Sequence, residues 1–94
     1  MHTVYILYSN SLDKYYVGES VQPLERLNQH NQGYYDSAFT KGASDWQLKL
    51  SLEVLDQSHA KRVEKHIKSM KSRVYIENLL RYKEMQVKLV HRFK

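Results

Sequence analysis

Cysteine is absent from this 94-residue chain, and proline and glycine are scarce, with one and three residues. Without cysteine the protein has no disulfide, no thiolate nucleophile and no cysteine-based zinc site. So little glycine and proline, beside 41% hydrophobic and 27% charged residues, excludes a fibrous or disordered chain. No apolar run nears the roughly 20 residues of a membrane span, and the N-terminus lacks an export signal. We therefore expect one folded, cytoplasmic domain with no membrane partner.

Tyrosine is the dominant aromatic residue, and the charges are unevenly spread. Eight Tyr stand against two Phe and one Trp, so we expect several rings at a boundary between core and cleft. Residues 1–58 hold 4 basic and 7 acidic side chains, whereas residues 59–94 hold 11 and 3. This basic C-terminal third suits a polyanion such as nucleic acid and, equally, a solvated lysine-rich helix face.

Two β-branched and aromatic runs near the N-terminus predict a β-hairpin. They are Val4-Tyr5-Ile6-Leu7-Tyr8 and Tyr15-Tyr16-Val17-Gly18, separated by a polar turn. With Tyr8 opposite Tyr15, strand alternation puts Tyr5, Leu7, Tyr16 and Gly18 on one side of the sheet. Glycine weakens a strand, so Gly18 indicates either a bulge or a group that closely approaches the backbone.

The middle of the chain predicts a helix, a loop and a strand. Pro23 suits a first helical position, so we expect a helix from about Pro23 to Asn31 that projects Arg26 and His30 from one side. Residues 33–45 are polar and predict a loop, with a helical turn around residues 37–41 left open. Residues 46–55 alternate leucine and valine with polar residues, which predicts a strand with one buried face.

Two further helices are predicted, with Ser58 and Ser72 as N-caps. Glu64 lies at the edge of the apolar stripe of the first, beside its basic side. His59 and His66 are two turns apart, too far for one ion, and are interpreted as surface residues. We assign residues 1–84 to the domain and leave residues 85–94 open between a helix extension and a loosely docked tail.

Five polar residues on these elements together suit phosphodiester hydrolysis. That reaction needs charge stabilisation at the phosphate, an oriented water and protonation of a leaving oxygen. Arginine clamps phosphate, histidine moves a proton near neutral pH, a phenol positions water and a lone carboxylate holds hydrated Mg²⁺. The five candidates are Tyr5, Tyr16, Arg26, His30 and Glu64.

Four segments resemble the GIY-YIG nuclease superfamily in their order and spacing: Val4-Tyr5-Ile6, Tyr16-Val17-Gly18, the helix from Leu24 to Asn31 and Glu64-Lys65-His66-Ile67-Lys68. The resemblance runs from about Thr3 to Leu80 and is closest to small stand-alone bacterial members. It implies an α+β fold, an α/β sandwich with a three-stranded antiparallel sheet flanked by helices. It also implies an endonuclease that hydrolyses DNA with one Mg²⁺ or Mn²⁺ ion, in repair or recombination.

The resemblance also implies a role for each matched residue. Tyr5 would orient or deprotonate the attacking water, and Tyr16 would support that water and the phosphate. Arg26 would stabilise the phosphate, while His30 matches a histidine found four residues later in many members. Gly18 matches the motif glycine, Glu64 matches the carboxylate that holds the metal, and Asn78 is a candidate match to a late asparagine.

The basic helices add a second set of candidates, for sequence-independent contacts with the nucleic-acid backbone. These are Lys61, Lys65, Lys68, Lys71 and Arg73. One departure from similar proteins is Thr40-Lys41-Gly42, which lacks the arginine that they often place before the glycine.

Each candidate also has an ordinary structural interpretation. Tyr5 and Tyr16 could fill a small core, Arg26 could pair with Glu25 or Asp36, and His30 could be a polar helix end. Glu64 could form an ion pair with Lys61, Lys65 or Lys68. The protein would then be a non-catalytic nucleic-acid-binding module, or a structural protein with an incidental polar cluster. The alternatives differ in whether the five candidates converge on one cleft.

Overall fold

The protein, described by a computed structural model over residues 1–32 and 43–94, has strands and helices in the order ββαβααα. The expectations for residues 33–42, including the turn around residues 37–41, Asp36 and Gly42, lie outside the described residues. The order confirms the α+β class. The elements are β1 (His2–Ser9), β2 (Lys14–Ser20), α1 (Pro23–Asn31), β3 (Trp46–Val54), α2 (Gln57–Ser69), α3 (Arg73–Arg81) and α4 (Lys83–Arg92).

The three strands form one antiparallel sheet in the order β2-β1-β3, so β1 is central. The predicted hairpin register is confirmed, because Tyr8 pairs with Tyr15, Leu7 with Tyr16 and Tyr5 with Gly18. The turn ends at Asp13, whose φ of 52° lies in the left-handed region that aspartate tolerates better than most residues. The carboxylate of Asp45 accepts hydrogen bonds from Ser9 Oγ (2.7 Å) and Ser11 N (2.8 Å), which ties the start of the turn to the residue before β3.

The predicted alternation of β3 is wrong at its start because of a β-bulge. Ile6 pairs with Leu50 but the next residue, Leu7, pairs with Leu48, so Lys49 is an extra residue in β3. An extra residue reverses the alternation, and Leu48 therefore packs on the opposite side of the sheet from Leu50. The strand buries residues on both faces instead of one.

The core lies on both sides of the sheet, since β1 is buried on both faces. On the side covered by α2, α3 and α4, Val4 and Ile6 pack in the larger cluster, with Ala60, Val63, Ile67, Leu79 and Leu89 among its members. On the side covered by α1, Tyr5 and Leu7 pack with Trp46 and Ala43. We refer to these as the α2 side and the α1 side. Consecutive residues of β1 therefore serve different helices.

Two side-chain caps fix the starts of α2 and α3. The N-cap of helix α2 is Asp56, two residues before the predicted Ser58, and its carboxylate accepts a hydrogen bond from His59 N at 2.8 Å, so the expectation for Ser58 is wrong. An aspartate satisfies a free N–H at the helix start as well as a serine does. The cap of α3 is Ser72, as predicted, with its hydroxyl accepting from Tyr75 N at 3.0 Å.

Residues 83–92, where the sequence left the conformation open, form helix α4. Its Leu89 is buried in the core, and Met85, Val90 and Phe93 pack against that core. The boundary drawn after residue 84 therefore falls inside α4. Within residues 1–32 and 43–94, no helix combines the length and apolar character needed to cross a membrane.

The interpretation of His59 as a surface residue is wrong, because α4 covers it. Its side chain is 1% exposed, Leu55 N donates to its Nδ1 at 3.1 Å, and its Nε2–H donates to Val90 O at 2.7 Å. With both ring nitrogens hydrogen-bonded, the imidazole joins α2 to α4 at little desolvation cost. His66 is half-buried, against the rings of Tyr75 and Phe93.

Candidate active site

A polar cavity of about 250 Å³ opens at the β2 edge of the sheet, where α1 and α2 approach each other. It is large enough for a phosphate group and several water molecules, since one water molecule takes up about 30 Å³. All five candidates from the sequence line it, together with the predicted glycine and three further charged residues. The lining residues are Tyr5, Tyr16, Gly18, Glu19, Arg26, His30, Lys61, Glu64 and Lys68.

The cavity results from three local periodicities. In the hairpin, Tyr5, Tyr16 and Gly18 share the α1 side because they alternate along paired strands. Helix α1 presents Arg26 and His30, which are four residues apart and so lie on one side of it. Helix α2 presents Lys61, Glu64 and Lys68 at spacings of three and four, again on one side of a helix.

Gly18 is required because the Tyr5 ring lies directly over its backbone. A Cβ at position 18 would lie 2.6 Å from Tyr5 Oη, 2.7 Å from Tyr5 Cζ and 3.0 Å from Tyr16 Cε2. These distances are shorter than van der Waals contact, so no larger residue fits unless the phenol moves. Of the two explanations that the sequence left open for this glycine, the close approach applies, and the approaching group is the candidate tyrosine itself.

Tyr5, Tyr16 and His30 form a packed cluster at the base of the cavity. The Tyr5 hydroxyl and His30 Nε2 are 3.3 Å apart in a hydrogen bond whose direction depends on the tautomer of the imidazole. The ring centroids of Tyr16 and His30 are 4.8 Å apart, and those of Tyr5 and Tyr16 are 6.4 Å apart. Both Tyr5 and His30 are almost completely buried, which fixes the Tyr5 hydroxyl in one position.

Burial lowers the pKa of His30 below its ordinary value, and the nearby positive charge of Arg26 lowers it further. The imidazole is therefore neutral at neutral pH, and one of its nitrogens can accept a proton. A neutral histidine beside a phenol is a suitable acceptor for a proton that leaves water through that phenol.

Asn31 is a supporting residue that sequence reasoning did not single out. Its side-chain amide donates to Trp46 O at 3.0 Å and accepts from Trp46 N at 2.7 Å. This double hydrogen bond joins the last turn of α1, which carries His30, to the first residue of β3. The indole of Trp46 in turn meets the Tyr16 ring edge-on at a centroid distance of 6.4 Å. In the sequence Asn31 is only a polar residue at the end of a predicted helix, and nothing there indicates that it binds Trp46, 15 residues later.

Glu64 faces the cavity and also forms an ion pair. Its Oε1 lies 3.2 Å from Lys68 Nζ, the i, i+4 pair that the sequence allowed, and its side chain is 16% exposed. Both interpretations of Glu64 therefore apply to its position, since the carboxylate is paired within its helix and lines the cavity. Because 52% of the Lys68 side chain is exposed, this lysine can turn away from Glu64 toward a phosphate.

Glu19 is the second cavity carboxylate, and the sequence did not identify it. Its Oε1 lies 3.2 Å from Lys61 Nζ, and its other oxygen contacts His2 Nε2. Burial raises the pKa of Glu19, but hydrogen bonds from Lys61 and His2 outweigh burial and hold that pKa below its ordinary value. The hydrogen bond between Lys61 and Glu19, with the charges of Glu19 and Glu64, raises the pKa of Lys61. Alternation places Glu19 on the opposite face from Gly18, and it reaches the cavity because β2 is an edge strand.

The donor set fits one hydrated divalent ion. The described residues contain no group of three or more His, Cys, Asp or Glu side chains that could hold a metal, so a closed protein cage is excluded there. Mg²⁺ is commonly bound through one or two carboxylates, its remaining positions being filled by water and substrate phosphate. Glu64 supplies such a carboxylate in a polar cavity and has one ion-pair partner in the described part of the chain, the exposed Lys68, whereas Glu19 is bonded to both Lys61 and His2.

The other predicted nucleic-acid contacts lie outside this cavity. Lys65 is exposed on α2, and Lys71, with a φ of 47°, lines an adjoining crevice. Arg73 is bonded to two acidic groups, with Nη2 at 2.7 Å from Asp13 Oδ1 and Nε at 3.2 Å from Glu77 Oε2. Asn78 is half-buried in α3 and, among the described residues, does not line the cavity.

Comparison with known proteins gives one family match. A family model described as the GIY-YIG catalytic domain matches residues 1–78, which include every cavity residue. No curated protein and no solved structure gives a significant match to the chain.

Proposed function

Since the chain belongs to the GIY-YIG catalytic domain family, which supports a nuclease-type function on nucleic acid, we propose that it is an endonuclease that hydrolyses DNA phosphodiester bonds with one Mg²⁺ or Mn²⁺ ion. The observation that carries the proposal is the convergence of Tyr5, Tyr16, Arg26, His30 and Glu64 on one cavity. These residues come from four elements, β1, β2, α1 and α2, and the charged ones, Arg26 and Glu64, belong to no core cluster.

The attacking water lies against the Tyr5 and Tyr16 hydroxyls in this mechanism. Its oxygen forms the new bond to phosphorus while the bond from phosphorus to the leaving oxygen breaks; the leaving oxygen keeps the electron pair and takes a proton from solvent water. Tyr5 orients the water and takes its proton as the Tyr5 proton passes to neutral His30, whose Nε2 is 3.3 Å from the hydroxyl. Burial, which lowers the pKa of His30, keeps this acceptor unprotonated before the reaction.

Arg26 holds the phosphate oxygens, on which negative charge accumulates during the displacement. Its planar guanidinium matches two phosphate oxygens at once, and two lysines on the opposite wall, Lys61 and Lys68, add positive charge. Donors that are already in place when charge develops stabilise the transition state without reorganising. We therefore propose that Lys61 and Lys68 contact the scissile phosphate, closer to the reaction than the general backbone contacts expected from sequence; their position in the cavity lining supports this.

Glu64 would hold the metal ion, with the substrate phosphate and water completing its coordination. When bound, the ion neutralises charge on the phosphate and on the leaving oxygen. Lys68 must then release the Glu64 carboxylate, and it can do so because most of that lysine remains in contact with solvent. Glu19 keeps Lys61 in position on the same side of α2.

The proposal is tested by cleavage of labelled duplex, branched and single-stranded DNA with Mg²⁺ or Mn²⁺. Glu64→Gln and Arg26→Ala should each lower the cleavage rate about 100-fold or more, because removal of one transition-state contact typically costs that much. Glu84→Gln and Arg81→Ala are the matched controls, since both residues are exposed and neither lines the cavity. Cleavage that Glu64→Gln leaves undiminished would refute the metal assignment.

A non-catalytic nucleic-acid-binding module is the second candidate, and the Glu64–Lys68 ion pair favours it. As the cavity stands, this pair occupies the carboxylate that the metal requires, while Arg26 and Lys61 give the cavity positive charge that suits a phosphate. Such a protein would bind the same DNA panel without cutting it in any metal. Metal-dependent cleavage by the wild type that is lost in both cavity variants excludes this alternative.

A further inference from the structure

A second crevice, of about 420 Å³, adjoins the candidate active site along the outer side of β2. Tyr16 and Lys68 line both spaces, so the two are adjacent. The crevice lies between β2 and the end of α2 and start of α3. Its lining residues are Tyr15, Tyr16, Val17, Ile67, Lys68, Lys71, Ser72 and Ile76.

The crevice differs in chemistry from the cavity beside it. Val17, Ile67 and Ile76 give it an aliphatic lining, two tyrosine rings form part of its wall, and the lysines are its charged members. Lys71 is exposed, and Lys68 is exposed although its Nζ lies 3.2 Å from Glu64 Oε1, so an anion can reach both ammonium groups. A flat apolar group attached to a phosphate chain is complementary to this combination of surfaces.

The Tyr15 ring is held in place by groups outside the crevice. It packs against Tyr8 at a centroid distance of 4.8 Å, the Arg73 guanidinium lies 5.5 Å from its centroid, and its hydroxyl donates to Glu77 at 3.5 Å. These contacts fix the ring before any ligand arrives, which lowers the entropy cost of stacking on it. They also give the Arg73–Asp13–Glu77 network a function, as a support for Tyr15 rather than a phosphate contact.

We propose that this crevice receives one unpaired nucleobase of the substrate, next to the phosphate that occupies the cavity; the proposal rests on the function proposed above. The base stacks on tyrosine, and Lys68 and Lys71 bind the phosphates on either side of it. A base paired in a duplex has its partner strand beside it and bases stacked on both faces, so it cannot enter a crevice in the protein. The crevice therefore selects single strands, flaps and junctions over intact duplex.

The test measures binding without metal, so that no cleavage interferes, with DNA that carries one unpaired stretch. At each unpaired position in turn, the base is replaced by an abasic residue of the same backbone. Wild-type protein should lose about 5- to 150-fold in affinity at one position, the range for one base stacked on an aromatic ring. 2-Aminopurine at that same position should lose fluorescence on binding. No loss at any position would overturn the proposal.

A variant pair assigns that base to the crevice. Tyr15→Leu keeps apolar volume but removes the ring, so the affinity ratio between intact and abasic DNA should fall toward one. Tyr82→Leu is the matched control, because Tyr82 is half exposed and does not line the crevice, and it should keep the wild-type ratio. A ratio that Tyr15→Leu leaves at the wild-type value would place the base elsewhere and overturn the proposal.

A photochemical measurement on wild-type protein covers the case in which Tyr15→Leu does not fold. 5-Iodouracil placed at the sensitive position should crosslink to Tyr15 or Tyr16, and crosslinks confined to other residues would overturn the subsite. The two proposals fail separately. Base-dependent binding without cleavage in any metal would refute the nuclease function and support the base subsite. Cleavage with no dependence on an unpaired base would support the nuclease function and refute the base subsite.

Discussion

Replacement of Gly18 with alanine tests the close packing on which the candidate site depends. The new methyl group would lie 2.6 and 2.7 Å from Tyr5 Oη and Cζ and 3.0 Å from Tyr16 Cε2. Tyr5 cannot give way easily, because its ring is 2% exposed on the central strand and its hydroxyl is bonded to His30. The collision must therefore displace the phenol, the hairpin or both.

The expected cost in stability combines two opposing effects. Overpacking a well-packed site destabilises by about 1–3 kcal/mol. Alanine also restricts the unfolded chain, which offsets about 0.4–1 kcal/mol where the backbone conformation suits it. We expect a net loss of about 1–2 kcal/mol, which in a domain of this size lowers Tm by about 4–16 °C. Displacement of Tyr5 by about 1 Å should lower the cleavage rate about 100-fold.

Both quantities can be measured on the same preparation, by thermal unfolding and by single-turnover cleavage. Ser51→Ala is the control, because this exposed residue of β3 pairs with Tyr5 from the other side and should change stability by less than about 0.5 kcal/mol. In the Tyr5→Phe background, Gly18→Ala should cost less stability, because the closest contact is gone, while activity stays low. A variant as stable and as active as wild type would refute the packing argument.

Three further predictions concern pH, the last helix and salt. The fold lowers the pKa of His30 below the value of about 6.5 that this histidine has in the unfolded chain. Below about pH 6.5 the unfolded state therefore binds more protons than the folded state. Stability should fall as the pH drops from about 6.5 to 5; His30→Gln should flatten that slope, His91→Gln should not, and equal slopes would contradict the assignment. Leu89→Ala should cost about 2–5 kcal/mol in urea unfolding if α4 is part of the core, against a negligible effect of exposed Lys88→Ala. DNA affinity should decline steeply with added salt, and a flat profile would exclude phosphate contacts as its main source.

Local periodicity predicted the hairpin register, α1 and the residues that face the cavity, because each depends on spacing within one or two neighbouring elements. The same alternation failed in β3. Its regular leucines hide a bulge at Lys49, since apolar residues are required on both faces at that end of the strand. A sequence with leucine on either side of the extra residue gives no sign that the alternation has been reversed.

Long-range partners account for the remaining errors. His59 is buried under α4, where Val90, 31 residues later, accepts its hydrogen bond, and the conformation of that segment was left open from sequence. Glu19 was overlooked because strict alternation places it on the α2 side, away from Tyr5. Its contact with Lys61 depends on where α2 crosses the sheet, which no local pattern fixes.

The edge position of β2 explains how the two sides of the sheet contribute to one cavity. If β2 were the central strand, Gly18 and Glu19 would face opposite layers and could not contact the same ligand. At an edge, the backbone ends the sheet, and residues from the α1 side and from α2 can meet beyond it. The phenols and His30 lie on the α1 side, while Glu64 and the lysines come from α2. A substrate phosphate bound there would contact both layers, so we expect its binding to stabilise the contact between α2 and the hairpin.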